Sequence, residues 1–202
     1  MRRRDFMSYS MCFAAVGCKG EAADQAVQSG LFEVMHSRTS IRRFDPERDV
    51  PDNLVEKLLR AAMSAPTAMN SQPWEFVVVR DSTLLKALAA GLPNSRIANG
   101  ARLVIIVCGN TDNGLRAPRA KEYWIQDCSA ASQNLLLAAK CLGLGAVWTG
   151  IYPMKDRIEV TKKILGIPER FMPLNAIPIG WPAENPKPKD KWKPDRVHHD
   201  RW

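Results

Sequence analysis

Most signatures of self-sufficient chemistry are missing from this chain of 202 residues. No G-x-G-x-x-G follows a strand pattern and no G-x-x-x-x-G-K-[ST] occurs, so neither a dinucleotide fingerprint nor a phosphate-cradling P-loop is indicated. H-E-x-x-H and G-x-S-x-G are also absent, which removes the common zinc-hydrolase and serine-hydrolase arrangements. Histidine is scarce: His36, His198 and His199 are the only three, and the adjacent pair lies in a basic tail where a solvated role outweighs a metal site. The five cysteines, Cys12, Cys18, Cys108, Cys128 and Cys141, show no C-x-x-C spacing and are odd in number, which argues against a zinc site or a disulfide framework. Cys108 falls in a strand pattern and Cys128 and Cys141 in a helix pattern, so all three read as buried free thiols. Nothing after the N-terminal region approaches the roughly 18–20 apolar residues of a membrane-spanning helix.

What is present describes one globular domain. Hydrophobic residues at 46% and charged residues at 25% are ordinary for a folded protein, and the length allows a sizeable core. The net charge of +8 raises the question of nucleic acid. Residues 1–20 and 185–202 each hold a surplus of three positive charges, so only two of the eight fall between them. A basic groove across the fold is thus not expected, and neither is a nucleic-acid partner, although basic arms suit a smaller anion.

Along the chain, Arg3-Arg4-Asp5-Phe6-Met7 looks like a twin-arginine export signal. Met11 to Gly17 forms a short apolar segment after it, and Ala15-Val16-Gly17-Cys18 loosely resembles a lipoprotein cleavage box. Residues 1–30 therefore read as an export-type leader and spacer with Cys18 as a candidate lipid anchor, and this reading takes precedence over a cytosolic N-terminus. Residues 31–202 form the domain. Leu31 to His36 predicts a short helix. Pro51 and Asp52 open a helix whose apolar residues Leu54, Val55, Leu58, Leu59, Ala62 and Met63 recur at amphipathic spacing. Phe76 to Val79 and Leu103 to Cys108 predict buried strands, and Asp81 caps a helix running to Ala90. Tyr123 to Leu142 is the longest helix, apolar nearly all round, and fits the heart of a domain or a dimer interface. Ala146 to Thr149 and Pro173 to Gly180 read as strands, with a helix from Lys155 to Leu165 between them. Trp181 to Trp202, rich in proline and lysine, predicts an extended arm. Strands separated by helices without regular βαβ spacing give an α+β class: a mixed sheet flanked by helices with an extended C-terminal arm.

Two stretches invite ligand chemistry. Arg38-Thr39-Ser40-Ile41-Arg42 places two guanidiniums and a hydroxyl on one side of an extended segment, a donor set suited to phosphate. Pro66-Thr67-Ala68-Met69-Asn70-Ser71-Gln72-Pro73-Trp74 joins a helix to a strand through small residues, with Asn70 and Gln72 offering donors and acceptors in apolar surroundings. The second stretch resembles the N-x-Q-P-W signature of the nitroreductase-like flavoproteins, and the first resembles that family's R-x-S-x-R motif. The helix Asp127 to Leu142 with Gly143-Leu144-Gly145-Ala146-Val147-Trp148, and Pro186-Lys187-Pro188-Lys189-Asp190-Lys191, are similar to two further blocks in the same order.

The resemblance implies a nitroreductase-like fold holding FMN non-covalently. Carried over by position, Arg38, Thr39, Ser40 and Arg42 would hold its phosphate and ribityl chain, and Lys189 and Lys191 would approach the phosphate from the other end. Pro66, Thr67, Ala68, Asn70 and Gln72 would lie by the isoalloxazine, contributed in the family by the second subunit of a homodimer. Thr149 and Gly150 match the segment facing flavin N5. Many relatives carry Glu-Gly there, so an acidic role is not carried over while a backbone donor is. NADH or NADPH would be the co-substrate of a ping-pong reaction, and nitroaromatics, quinones or other conjugated electrophiles the acceptors. No catalytic side chain and no metal ligand is expected. The loop Asn110 to Tyr123 is expected to cover the acceptor slot. The alternatives are a flavin carrier without turnover, or a specialised branch that removes halogen or breaks down flavin.

Overall fold

The computed structural model describes residues 30–97, 99–111 and 122–202. The segment expected to be a leader, with Cys12 and Cys18, and most of the loop expected to cover the slot lie outside those residues.

The described elements are helix α1 (30–37), α2 (Asp52–Met63), β1 (Trp74–Val79), α3 (Ser82–Gly91), β2 (Leu103–Asn110), α4 (Tyr123–Cys141), β3 (Gly145–Ala146), β4 (Thr149–Gly150), α5 (Lys155–Leu165) and β5 (Phe171–Gly180). The sheet runs β1-β2-β5-β3, with β4 pairing β5 on the same side as β3. The expected mixed α+β architecture is observed, and within the sheet every described pairing is antiparallel.

Period-two alternation divides the core. Leu103, Ile105, Val107, Ile177 and Ile179 face α2 and α4, where Leu58, Cys128, Ala131, Leu135 and Ala139 are fully buried. Val104, Ile106, Cys108 and Ala176 face the other way, onto α3 and α5 through Leu88, Val160 and Ile164. Both faces of the centre are covered, so β2 reads as an unbroken apolar run. β1 is an edge strand, and only Trp74 and Val79 of it are buried. Its apolar sequence predicts fuller burial than an edge provides.

Proline explains the two irregularities of β5. Its register against β2 shifts between Val107 and Cys108, opposite Pro173, where the ladder has no N–H to use. On the other side, the single strand expected over Ala146 to Thr149 is divided into β3 and β4 at Val147 and Trp148. Val147 N–H donates to the Pro178 carbonyl at 3.3 Å, but Pro178 has no N–H to return.

Two close approaches require glycine. A Cβ on Gly109 would lie 2.2 Å from the Trp124 ring, so only glycine lets α4 settle on β2 there. A Cβ on Gly145 would meet Ile41 at 2.6 Å. Ile41 is therefore the core-facing residue of the segment 38–42, as the alternation of that segment predicts. One thiol departs from expectation: Cys108 and Cys128 are buried, but Cys141 is exposed. It lies in the last turn of α4, on a face nothing described covers.

Candidate functional site

The arginine-rich segment and the C-terminal arm meet although some 150 residues separate them. Together they line a groove of about 750 Å³ with Arg38, Thr39, Ser40 and Arg42 on one wall and Lys187, Lys189 and Lys191 on the other. Five cations and one carboxylate, Asp190, border it. Glu184, which sequence reasoning passed over, fixes one wall to the other. Its Oε1 accepts from the backbone N–H groups of Arg42 and Arg43, and its Oε2 from Arg43 Nε at 3.3 Å. The Arg42 N–H, followed by the Arg43 donors, holds the Glu184 carboxyl below its ordinary range against an opposing push from burial. Further up the arm, Trp181 Nε1 donates to the Asp49 carbonyl and the Arg48 guanidinium lies 3.9 Å from its ring centre.

The loop 66–72 is built differently. Asp127, 5% exposed on α4, accepts from Ala68 N–H at 3.0 Å and Ser71 Oγ at 3.3 Å. Gln72 N–H donates to Thr67 Oγ1 at 3.2 Å, and Gln72 Nε2 to Asn70 Oδ1 at 3.1 Å. Thr67 and Ala68, marked by resemblance as cofactor contacts, thus spend a hydroxyl acceptor and an N–H in organising the loop. Met69, Asn70 and Gln72 all have positive φ, at 53°, 52° and 47°. Asparagine tolerates this region, whereas Met69 and Gln72 each carry roughly 1–2 kcal/mol of strain. Asp127 is the buried anchor that holds this conformation. An acidic residue on the apolar side of a helix was the signal that could have found it.

Thr149 and Gly150 diverge. Thr149 is buried, and its hydroxyl donates to the Ser95 carbonyl at 3.1 Å, turned from the side that Gly150 presents. Val147 and Ile151 N–H groups point inward to Pro178 and Leu174 carbonyls. By the alternation of an antiparallel ladder, the N–H and C=O of Gly150 point outward from the sheet. A Cβ at Gly150 would meet nothing within 4 Å, so the sheet face above that residue is open. Across the strand, Asn175 is fully buried and donates to Ser132 Oγ at 2.8 Å.

The chain therefore brings together Arg38, Thr39, Ser40, Arg42, Lys189 and Lys191, while Pro66 to Gln72 and Thr149–Gly150 stand apart from that groove. α4 separates them: the loop is anchored at Asp127, and Lys140 borders a smaller cavity of about 310 Å³ beside Arg38. Thirteen residues of helix place those two points about 20 Å apart. Among the described residues no His, Cys, Asp or Glu cluster suits a metal. Cys108 and Cys128 are both pushed up to about 12, chiefly by burial, and are inert as nucleophiles at neutral pH.

A groove bordered by guanidinium and ammonium groups suits an anionic ligand such as a phosphate. Known proteins specify which kind. The nitroreductase family model matches residues 35–92 and 86–181. A protein of Methanothermobacter thermautotrophicus, provisionally named NADH dehydrogenase/NAD(P)H nitroreductase, is 44% identical over 172 residues, covering 85% of this chain and 87% of its own length. A crystal structure of a protein with the same provisional name from Parabacteroides distasonis superposes with a TM-score of 0.79 at 44% identity, covering 86% of this chain and 99% of that one. A provisionally assigned nitroreductase from Desulfovibrio desulfuricans, crystallised in complex with FMN, gives 0.71 at 30% identity, covering 85% and 97%. The chain belongs to the nitroreductase family.

Proposed function

We propose that this protein is an FMN-dependent oxidoreductase that takes hydride from NADH or NADPH and delivers two electrons to a nitroaromatic, quinone or related conjugated acceptor in ping-pong order. The observation that carries the reading is the convergence of Arg38, Ser40, Arg42, Lys189 and Lys191 from two ends of the chain on one groove. The donor set fits a phosphate monoester, with forked guanidinium donors on one wall and ammonium groups on the other. FMN, when bound, supplies the electron storage that no side chain here provides. Arg38, Ser40 and Arg42 bind and orient its phosphate end. The outward N–H of Gly150 would donate to the reacting edge, and the open face above Gly150 leaves room for a flat ring.

The roughly 20 Å between the loop 66–72 and the groove along α4 favours a homodimer in which each loop completes the other copy's site. Residues 1–30 act as the export leader, with Cys18 as anchor; fractionating cells that express the full chain and its Cys18→Ser variant tests this.

The decisive experiment is an anaerobic titration of the purified protein, followed in the visible region. A flavin spectrum near one FMN per chain that bleaches with NADH or NADPH supports the reading. A colourless protein that takes up no FMN overturns it, and a flavin that stays oxidised points to a carrier instead.

A further inference from the structure

The Gly150 carbonyl, which the ladder turns outward, is not left to solvent. Arg157 Nη1 donates to it at 2.7 Å. Arg157 is half-buried, and among the described residues no carboxylate forms an ion pair with it. Arg157 also occupies the first turn of α5, the positive end of the helix, where a cation is disfavoured. A positive charge is thus kept at an unfavourable place, without a counter-ion, against one peptide of an open strand edge. The adjacent residue is tied independently, through Thr149 and Ser95. Packing of α5 explains none of this, since an apolar or acidic side chain at Arg157 would suit its helix better.

We propose that Arg157 is a positioning residue of the hydride-accepting edge. By gripping the Gly150 carbonyl that the ladder turns outward, it steadies the edge that carries the Gly150 N–H, and it brings a positive charge with no ion-pair partner among the described residues within one residue of that donor. This inference rests on the FMN reading above. Hydride uptake from NAD(P)H adds two electrons and one proton to the flavin, oxidises the nicotinamide and leaves the ring system one unit more negative. A fixed cation at that edge favours the product of that step.

The test is the two-electron midpoint potential of the FMN-loaded protein by spectroelectrochemistry, with FMN affinity by fluorescence, for wild type, Arg157→Lys, Arg157→Gln and Arg157→Ala. The neutral variants are expected to favour reduced flavin about tenfold less, a drop of about 30 mV for a two-electron couple. Arg157→Lys should stay near wild type. If Arg157→Ala fails to fold or to hold FMN, Arg157→Gln, which removes the charge and shortens the side chain but keeps a polar group, decides. Loss of FMN affinity in Gln but not Lys also supports the role. An Arg157→Gln protein matching wild type in both potential and affinity overturns it while leaving the oxidoreductase reading intact. A wild-type chain that binds no FMN overturns both, so the two failures are distinguishable.

Discussion

The groove and the loop 66–72 are built by opposite means. The groove is made of long, exposed cations on segments with little regular structure, held in place by Glu184 and by the stacking of Arg48 on Trp181. The loop is made of short groups in strained backbone, fixed from beneath by the buried carboxylate of Asp127. Long flexible cations supply attraction and tolerate small shifts in the anion, whereas a strained loop on a buried anchor supplies direction. The difference separates affinity from orientation, and substitutions should expose it.

The largest effect is expected from removing a cation on each wall. Arg38→Ala combined with Lys191→Ala should weaken FMN by about 3–6 kcal/mol, from about 1.5–3 for each charge-assisted contact. That is roughly two to four decades in Kd, read by flavin fluorescence, with thermal stability little changed. An equal loss of stability would show the groove to be structural and would erase the contrast.

Asp127→Ala should do the reverse. Losing a buried acceptor of two hydrogen bonds is expected to lower unfolding free energy by about 2–4 kcal/mol in urea titrations. Faster proteolysis between residues 66 and 72 would show that the strained loop has relaxed. A stable, protease-resistant variant would mean that the loop holds itself.

Glu184 gives a smaller, pH-dependent effect. Its carboxyl is depressed, so its contribution is complete above the ordinary value of 4.5 and is lost as pH falls through the lower folded value. Glu184→Gln should cost about 1 kcal/mol at pH 7 and nothing once the native carboxyl is protonated. Parallel stability–pH curves for variant and wild type would remove the clamp from the account. The smallest change is Thr67→Val, which removes the acceptor for Gln72 N–H and should cost about 0.5 kcal/mol without altering FMN affinity.

Local patterns were readable in proportion to how local their causes are. The amphipathic spacing of α2, the Asp81 cap of α3 and the apolar run of β2 each depend on neighbours a few residues away, and each forms as expected. The exposure of β1 and the division between β3 and β4 depend on which strand lies alongside, which one segment cannot state. Cys141 sits in an apolar helix but beyond the surface that the sheet and α2 cover. The arginine motif of the groove was legible from charge and spacing, and its lysine pair from the family resemblance. Asp127 and Glu184 were not, because their partners lie 59 and 142 residues away in the chain.

The place of β5 in the sheet has a consequence for the order of manufacture. It is the last of the described strands along the chain, yet it lies inside the sheet, pairing β2 on one side and β3 and β4 on the other. Until residues 171–180 leave the ribosome, β2, apolar throughout, has one long edge with nothing beside it. A nascent chain shortened before Phe171 lacks the middle of its sheet, not a margin, and cannot close around either half of its core. Closure of the sheet thus waits for β5 and is governed by distant contacts, and chains that have not yet reached residue 180 are the ones most exposed to aggregation.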